Sequence, residues 1–460
     1  MDDRALQELL DEGARKCGVV GAQLAIFNRG SLREFATGWR NLDLQLPTTT
    51  GTLFQIGSTT KLFNAALVMS LVDSGRLELD TPVCEYFRDF RLASWEAQKT
   101  ITLRHLLSMS AGTDNGFYHD YGRGDDALGR YVAALAGVPH IFGAGTAFGY
   151  SNASTNIAGH TAASVTGRTW EDLLFERILG PLSLKSSGLF AEELLGHAVA
   201  LGYARAGAST PPVRVPNWGM PRSCAPAGGT LCCSAGDLVR LACMFLDQGK
   251  ARDGGSVLSQ SSIDVMHAPQ VDLPTQLMAQ QWCCGPYRKV WGGCAIYGHS
   301  GTNVGGSSTL LWCPERQVAI AMTVNVAAQG YPLAELIFNV VFPKLFDIDK
   351  PTALVAESIT PAIVDDLARF TGTFEAFGTV MRFTLENGRL FATEDSDLSR
   401  MHGLEPVRRS ELIPLGGARF LPRHPALSGN RLWDVAFWDE RGCGQPTHYL
   451  GGIFAFRRTG

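Results

Sequence analysis

"FQIGSTTKLF", residues 54–63, sets a serine and a lysine three positions apart at the head of an apolar run, Leu62, Phe63, Ala65, Ala66, Leu67, Val68 and Met69. On a helix, residues i and i+3 share a face, so Ser58 and Lys61 converge. The pattern predicts a helix over 58–75, closed by Gly75, that is apolar enough to be buried and takes its lysine with it. Burial disfavours the charged form of an amine and lets it give up its proton. A serine hydroxyl becomes a useful nucleophile once a base takes its proton. The N–H of Ser58, left free in a first helical turn, can also donate to a developing oxyanion. Four letters fit equally well an N-capping serine and a solvated lysine, so the reading turns on partners elsewhere.

Two other stretches supply them. "GTAFGYSNAST", residues 145–155, carries Tyr150 and Asn152. A tyrosine beside an amine can exist partly as phenolate and share the serine proton. Asn152 offers a donor and an acceptor for a substrate amide or for the lysine. The same residues also suit the cap of a helix predicted over 153–167. "YGHSGTNVGGSSTLLWCPE", residues 297–315, carries His299, Ser300 and Gly301 near the end of a strand. A glycine at 301 lets a substrate backbone lie against the strand edge. His299 is placed to polarise Tyr150 or to meet a substrate carboxylate.

In this order and spacing the three motifs resemble those of the serine β-lactamase and penicillin-binding-protein family, above all its class C β-lactamase-like, esterase and D-peptidase branch. SxxK reads Ser58 to Lys61, YxN reads Tyr150 to Asn152, and the KTG-like triad reads His299-Ser300-Gly301. Lesser marks agree, with Met109 where the family usually has His, Ala144 where Pro is common, and Thr230 as an extra residue before Leu231. The resemblance covers residues 15 to 345 and implies acyl-enzyme chemistry. Ser58 would attack a carbonyl while Lys61 and Tyr150 move its proton. The backbone N–H groups of Ser58 and Thr302 would hold the oxyanion, and Asn152 would contact the acyl amide. Ser300 and Gly301 would bind substrate along the strand. His299 stands where β-lactamases carry the KTG lysine, a departure that speaks against a true β-lactamase.

The rest of the chain frames this site. Residues 28–30 read as the turn of a β-hairpin, Thr102 as a helix N-cap, and 169–180 as a helix entered through Thr169. Short strands near 300 and a helix over 332–346 complete an α+β catalytic domain, 1–346, in which an antiparallel sheet is flanked by helices with an inserted helical region. The prolines at 351 and 361 mark a linker, 347–361. Residues 362–460, with a turn at Asn387-Gly388, read as a small antiparallel β-barrel or sandwich. Within the resembling family, lipocalin-like barrels of this kind accompany D-stereospecific peptidases and the thioesterases that release nonribosomal peptides as rings.

Composition narrows the partners. A net charge of -4 over 460 residues, with no run of more than two Lys or Arg, excludes a nucleic-acid surface. No stretch approaches 18 apolar residues and the N-terminus reads as an acidic amphipathic helix with Leu6, Leu9 and Leu10 on one side, so the expectation is a cytoplasmic protein with no membrane partner. Eleven cysteines without CxxC spacing read as buried thiols, with neither metal nor other cofactor implied. The expected function is a serine hydrolase or acyltransferase acting on amides, esters or thioesters of D-residue peptides or small esters. The alternative is a trans-acting thioesterase that cyclises a peptide held by a carrier protein. A true β-lactamase and a catalytically silent sensor or scaffold are the remaining readings.

Overall fold

The computed structural model describes residues 1–205, 210–276, 278–351, 359–397, 407–423 and 434–460. Helix α1 (Asp3–Cys17) leads into the hairpin of β1 (Gly21–Asn28) and β2 (Ser31–Asn41), which turns at Arg29 and Gly30, both with positive φ. Strand β1 then pairs antiparallel with Val318–Val324, Ala25 facing Ala321, so a contact 296 positions long joins the two ends of the catalytic region. The nine-stranded sheet continues through Gly306–Cys313, Cys294–Asn303 and Tyr287–Trp291, with two-residue strands at both edges.

Both faces of the sheet are covered, which is why β1 reads as an unbroken apolar run rather than an alternation. Leu24 and Ile26 pack with Leu6 and Leu10 of α1 and with Leu333 and Ile337 of the helix Gly330–Val341. Ala25 and Phe27 point the other way, into a core shared with helix α2 (Thr60–Asp73) and the helix Ala235–Leu246. Every residue from Thr60 to Leu71 is buried, so α2 is a central helix with no polar face.

Three predicted helices differ in detail. The one expected over 58–75 opens as a tight 3-10 turn, Gly57–Thr59, before α2 begins. The helix expected over 169–180 is α-helical only over Trp170–Leu174 and widens into a π turn over Phe175–Leu179. The last one widens likewise over Phe342–Phe346, where Pro343 lacks the N–H that a regular turn needs. Thr102 and Thr169 cap their helices as expected.

The C-terminal region is a closed barrel of eight antiparallel strands, from Gly372–Ala376 to Phe454–Arg458, closed by the pairing of Phe374 with Arg458. Its interior is filled by rings, with Phe383, Phe437 and Tyr449 mutually 4.8–5.0 Å apart. Residues 352–358 of the expected linker lie outside the described residues. The part before them is docked: Ile348 is buried and Lys350 donates to Asn339 at 2.8 Å.

Among the described residues no helix is long and apolar enough to cross a membrane, and no group of three His, Cys, Asp or Glu side chains is placed to hold a metal. The eleven cysteines are unpaired and seven are buried.

Burial also fixes how stability varies with pH. His105, His140, His160, His267, His299 and His448 all titrate below the ordinary value of 6.5, chiefly because burial disfavours the cation. Below pH 6.5 the unfolded chain therefore binds protons that the folded chain refuses, and stability falls with pH. Buried Asp114 and Asp237, raised by desolvation, act in the opposite sense at lower pH. The midpoint of thermal unfolding is expected to fall steadily between pH 7 and pH 4.5; a flat or rising midpoint in scanning fluorimetry would count against this account.

Candidate active site

The site forms where α2, the strand Cys294–Asn303 and the start of the helix Asn152–Thr166 meet. Gly57, at φ +54, bends the chain ahead of Ser58. A Cβ on Gly57 would lie 2.7 Å from the Thr302 nitrogen, and one on Gly301 would lie 1.9 Å from the Ile56 carbonyl and 2.7 Å from the Ser58 nitrogen. Two glycines thus let the strand press against the 3-10 turn, with the Thr302 backbone against Gly57 and the Ser58 nitrogen against Gly301. Pairing of this strand with Tyr287–Trp291 ends at Gly298, so among the described residues no strand pairs with its edge over 299–303 on that side.

Lys61 is the centre of the polar network. It is buried, and its Nζ donates to Asn152 Oδ1 at 2.6 Å and the Ala227 carbonyl at 2.7 Å and lies within hydrogen-bond distance of Ser58 Oγ, at 3.0 Å. Desolvation holds its pKa well below the usual lysine value. Two of its neighbours, an amide oxygen and a carbonyl, can only accept. A neutral amine has two N–H groups and one lone pair. When both N–H groups go to Asn152 and Ala227, the lone pair is left for the Ser58 hydroxyl.

Tyr150 lies beside it, with Lys61 Nζ 4.9 Å from the ring centroid. The phenolate expected from the sequence is not the resting form: burial raises the Tyr150 pKa well above 10, against a smaller lowering by its hydrogen bond with Ser58. Burial thus favours the neutral form of both the amine and the phenol. His299 differs too. Its Nδ1 donates to the Ser300 carbonyl at 2.7 Å, and its buried Nε2 has no hydrogen-bond partner among the described residues. Burial above all, with a further lowering from Lys61 when it is charged, brings its pKa down to about 3, so at neutral pH it is no cation for a carboxylate. Its ring packs 6.1 Å from that of Tyr150.

Asn152 is more heavily engaged than its motif suggests. Its Nδ2 donates to Asn115 Oδ1 at 3.0 Å and to Tyr118 Oη at 2.7 Å, while its oxygen faces Lys61. Ser58, Tyr150, Asn152, His299, Ser300 and Thr302 line one cavity of about 280 Å³. Aromatic side chains of Trp282, Tyr287 and Tyr331 line it as well, as do Ile453 and Phe454 from the barrel.

The barrel is part of the site. Its turn around Gly452 brings the Ile453 carbonyl to the Tyr150 N–H at 2.9 Å, and Phe454 meets the Tyr150 ring edge-on at 5.9 Å. A second turn sends the Phe377 N–H to Asp114 at 2.7 Å, next to Asn115. Asp434 accepts from the Gln276 N–H at 2.9 Å, close to the cavity residue Met278. None of Asn115, Tyr118, Ile453 or Phe454 carries a motif, and their sequence neighbours gave no signal for them.

Comparison with known proteins agrees with this geometry. Penicillin-binding protein 4 of Amycolatopsis lactamdurans is 36% identical over 375 residues, 81% of this chain and 97% of the relative. The crystal structure of SurE superposes with a TM-score of 0.82 at 28% identity, covering 99% of both chains, and SurE with D-Leu gives 0.79 at 27% identity and the same coverage. The family model described as Beta-lactamase matches residues 4–337, the stretch that contains every motif residue named above. A sheet in which β1 pairs with the strand Val318–Val324, with the SxxK turn against the strand that carries His299-Ser300-Gly301, is what that match looks like in three dimensions: the chain belongs to the β-lactamase family.

Proposed function

We propose that the protein is a serine acyl-enzyme hydrolase or acyltransferase in which Ser58 is the nucleophile and Lys61 its base. The observation that carries this reading is the bonding of Lys61, which leaves a neutral amine only Ser58 as a proton donor. Ser58 Oγ attacks the carbonyl carbon and its proton passes to Lys61 Nζ. The oxyanion lies between the N–H groups of Ser58 and Thr302. As the tetrahedral centre collapses, the leaving group takes the Tyr150 proton, and Lys61 restores it. Water or an amine then attacks the ester by the same path in reverse. Substrate lies along the free edge beside Ser300 and Gly301, and neutral His299 serves as an acceptor rather than a counter-ion.

The substrate we propose is an amide, ester or thioester of a peptide with a D-residue at the acyl position. The aromatic-lined cavity supports it, as does the likeness over the whole chain to SurE, one of whose structures holds D-Leu. A second reading is a thioesterase that cyclises a peptide delivered on a carrier protein in the cytoplasm. The barrel turn at Gly452 favours it, since a cavity walled by a second body keeps out water and admits a tethered chain.

The test offers peptidyl thioesters with a free N-terminal amine and either a D- or an L-residue at the acyl carbon, and resolves products by mass spectrometry. The D-form should react about 10- to 200-fold faster. A ring product supports the cyclising reading and linear acid alone the hydrolase. Equal rates for both forms would remove the D-residue assignment.

A further inference from the structure

Asn152 can face Lys61 in two ways. With Oδ1 forward, it takes an N–H from the amine and leaves the lone pair to Ser58. With Nδ2 forward, it would donate to that lone pair, and the amine would have to donate to Ser58 instead of accepting its proton. The two orientations fill the same volume, so packing cannot choose between them. Hydrogen bonding must.

The choice is made behind Asn152 by the side-chain oxygen of Asn115, while the Tyr118 hydroxyl on the same short segment, which can accept or donate, completes the contact. Asn115 Oδ1 takes the Asn152 backbone N–H at 3.2 Å and Nδ2 at 3.0 Å. Tyr118 Oη takes the other Nδ2 hydrogen at 2.7 Å. Reversing the amide would set its oxygen against the oxygen of Asn115. Tyr118 also lines the cavity, and burial pushes its pKa up to about 12, so it meets Asn152 as a phenol. We infer that Asn115, with Tyr118 beside it, is a positioning residue that holds the Asn152 amide so that Lys61 offers its lone pair to Ser58. The inference rests on the Ser58–Lys61 reading above.

The segment bearing these residues is itself held from the barrel. Asp114 precedes Asn115 and accepts the Phe377 N–H, and Phe117 packs 5.7 Å from Phe377. The orientation of one amide thus depends on a contact made by a turn more than 220 residues away in sequence.

The test compares the whole chain with Asn115→Leu, Asn152→Ala and the double variant on p-nitrophenyl acetate. Leucine keeps the branched shape and removes the acceptor. In Asn115→Leu, kcat should fall about three- to tenfold, the worth of one hydrogen bond, with KM within about twofold. The acidic limb of the kcat profile should move to lower pH, because an amide with Nδ2 forward is satisfied only by the neutral amine. Tyr118→Phe, which removes a hydroxyl that suits either orientation, should leave that limb in place. In the Asn152→Ala background the Asn115 change should cost nothing more. Additive losses, a rise in KM with kcat unchanged, an unmoved limb in Asn115→Leu or a moved one in Tyr118→Phe would overturn the inference. Fluorophosphonate labelling of the unaltered protein separates the two claims: no label on Ser58 sinks the nucleophile reading, whereas a labelled protein with Asn115→Leu unchanged sinks this one alone.

Discussion

Replacing Ser58 by alanine is expected to lower turnover of any acyl substrate by about 10⁴- to 10⁶-fold, the loss seen when a nucleophile is removed from a working triad. The fold should survive: Ser58 stands in a turn whose shape is set by Gly57 and by the packing of Gly301, and no helix in the core depends on its hydroxyl. Lys61→Ala and Tyr150→Phe should each cost nearly as much as their combination, because both move one proton and neither does so usefully alone. Burst kinetics with a nitrophenyl ester measure acylation directly. Additive losses in the double variant would show two independent functions, and fluorophosphonate labelling that persists in Ser58→Ala would move the nucleophile elsewhere.

The second large effect concerns a residue with no chemistry of its own. Gly301→Ala would set a methyl 1.9 Å from the Ile56 carbonyl and 2.7 Å from the Ser58 nitrogen. Both are backbone atoms in the turn that carries the nucleophile, so no side chain can swing away. Overpacking of this kind costs about 1–3 kcal/mol of stability. Activity should suffer far more, because the strain separates Ser58 from Thr302 and a misplacement near 1 Å costs about 10²-fold. The expected result is a folded protein of lower melting temperature with turnover down by about a hundredfold or more. Activity retained in a well-folded variant would mean that the oxyanion is not held between these two nitrogens.

The motif residues were legible because each triad is local. Ser58 and Lys61 share a helical face, Tyr150 and Asn152 open a helix, and His299 to Gly301 follow one strand. The hairpin at Arg29-Gly30 and the turn at Asn387-Gly388 were legible from turn chemistry in the same way. What spacing could not convey was protonation. The neutral state of His299 and the resting phenol of Tyr150 come from burial, which is made by residues far away in sequence. Asn115 and Tyr118 were invisible because their segment has neither helix nor strand and acts only through Asn152. Ile453 and Phe454 sit some 300 positions from Tyr150, in a region whose strand pattern foretold a barrel or sandwich but not which of its turns would reach the cavity.

The ring-filled interior of that barrel bears on how substrate preference could drift. Phe370, Phe374, Phe383, Phe437 and Tyr449 occupy the space that a carrier of small molecules would leave empty. The folding of the barrel and the part it plays at the cavity therefore fall to different residues: the first to inward side chains of the strands, the second to the turns at Phe377 and Gly452. Substitutions in those turns escape the constraints that hold the interior. A lineage could exchange them one at a time and try new acyl groups without risking collapse, and a library confined to residues 376–378 and 452–454 would explore the same freedom in the laboratory.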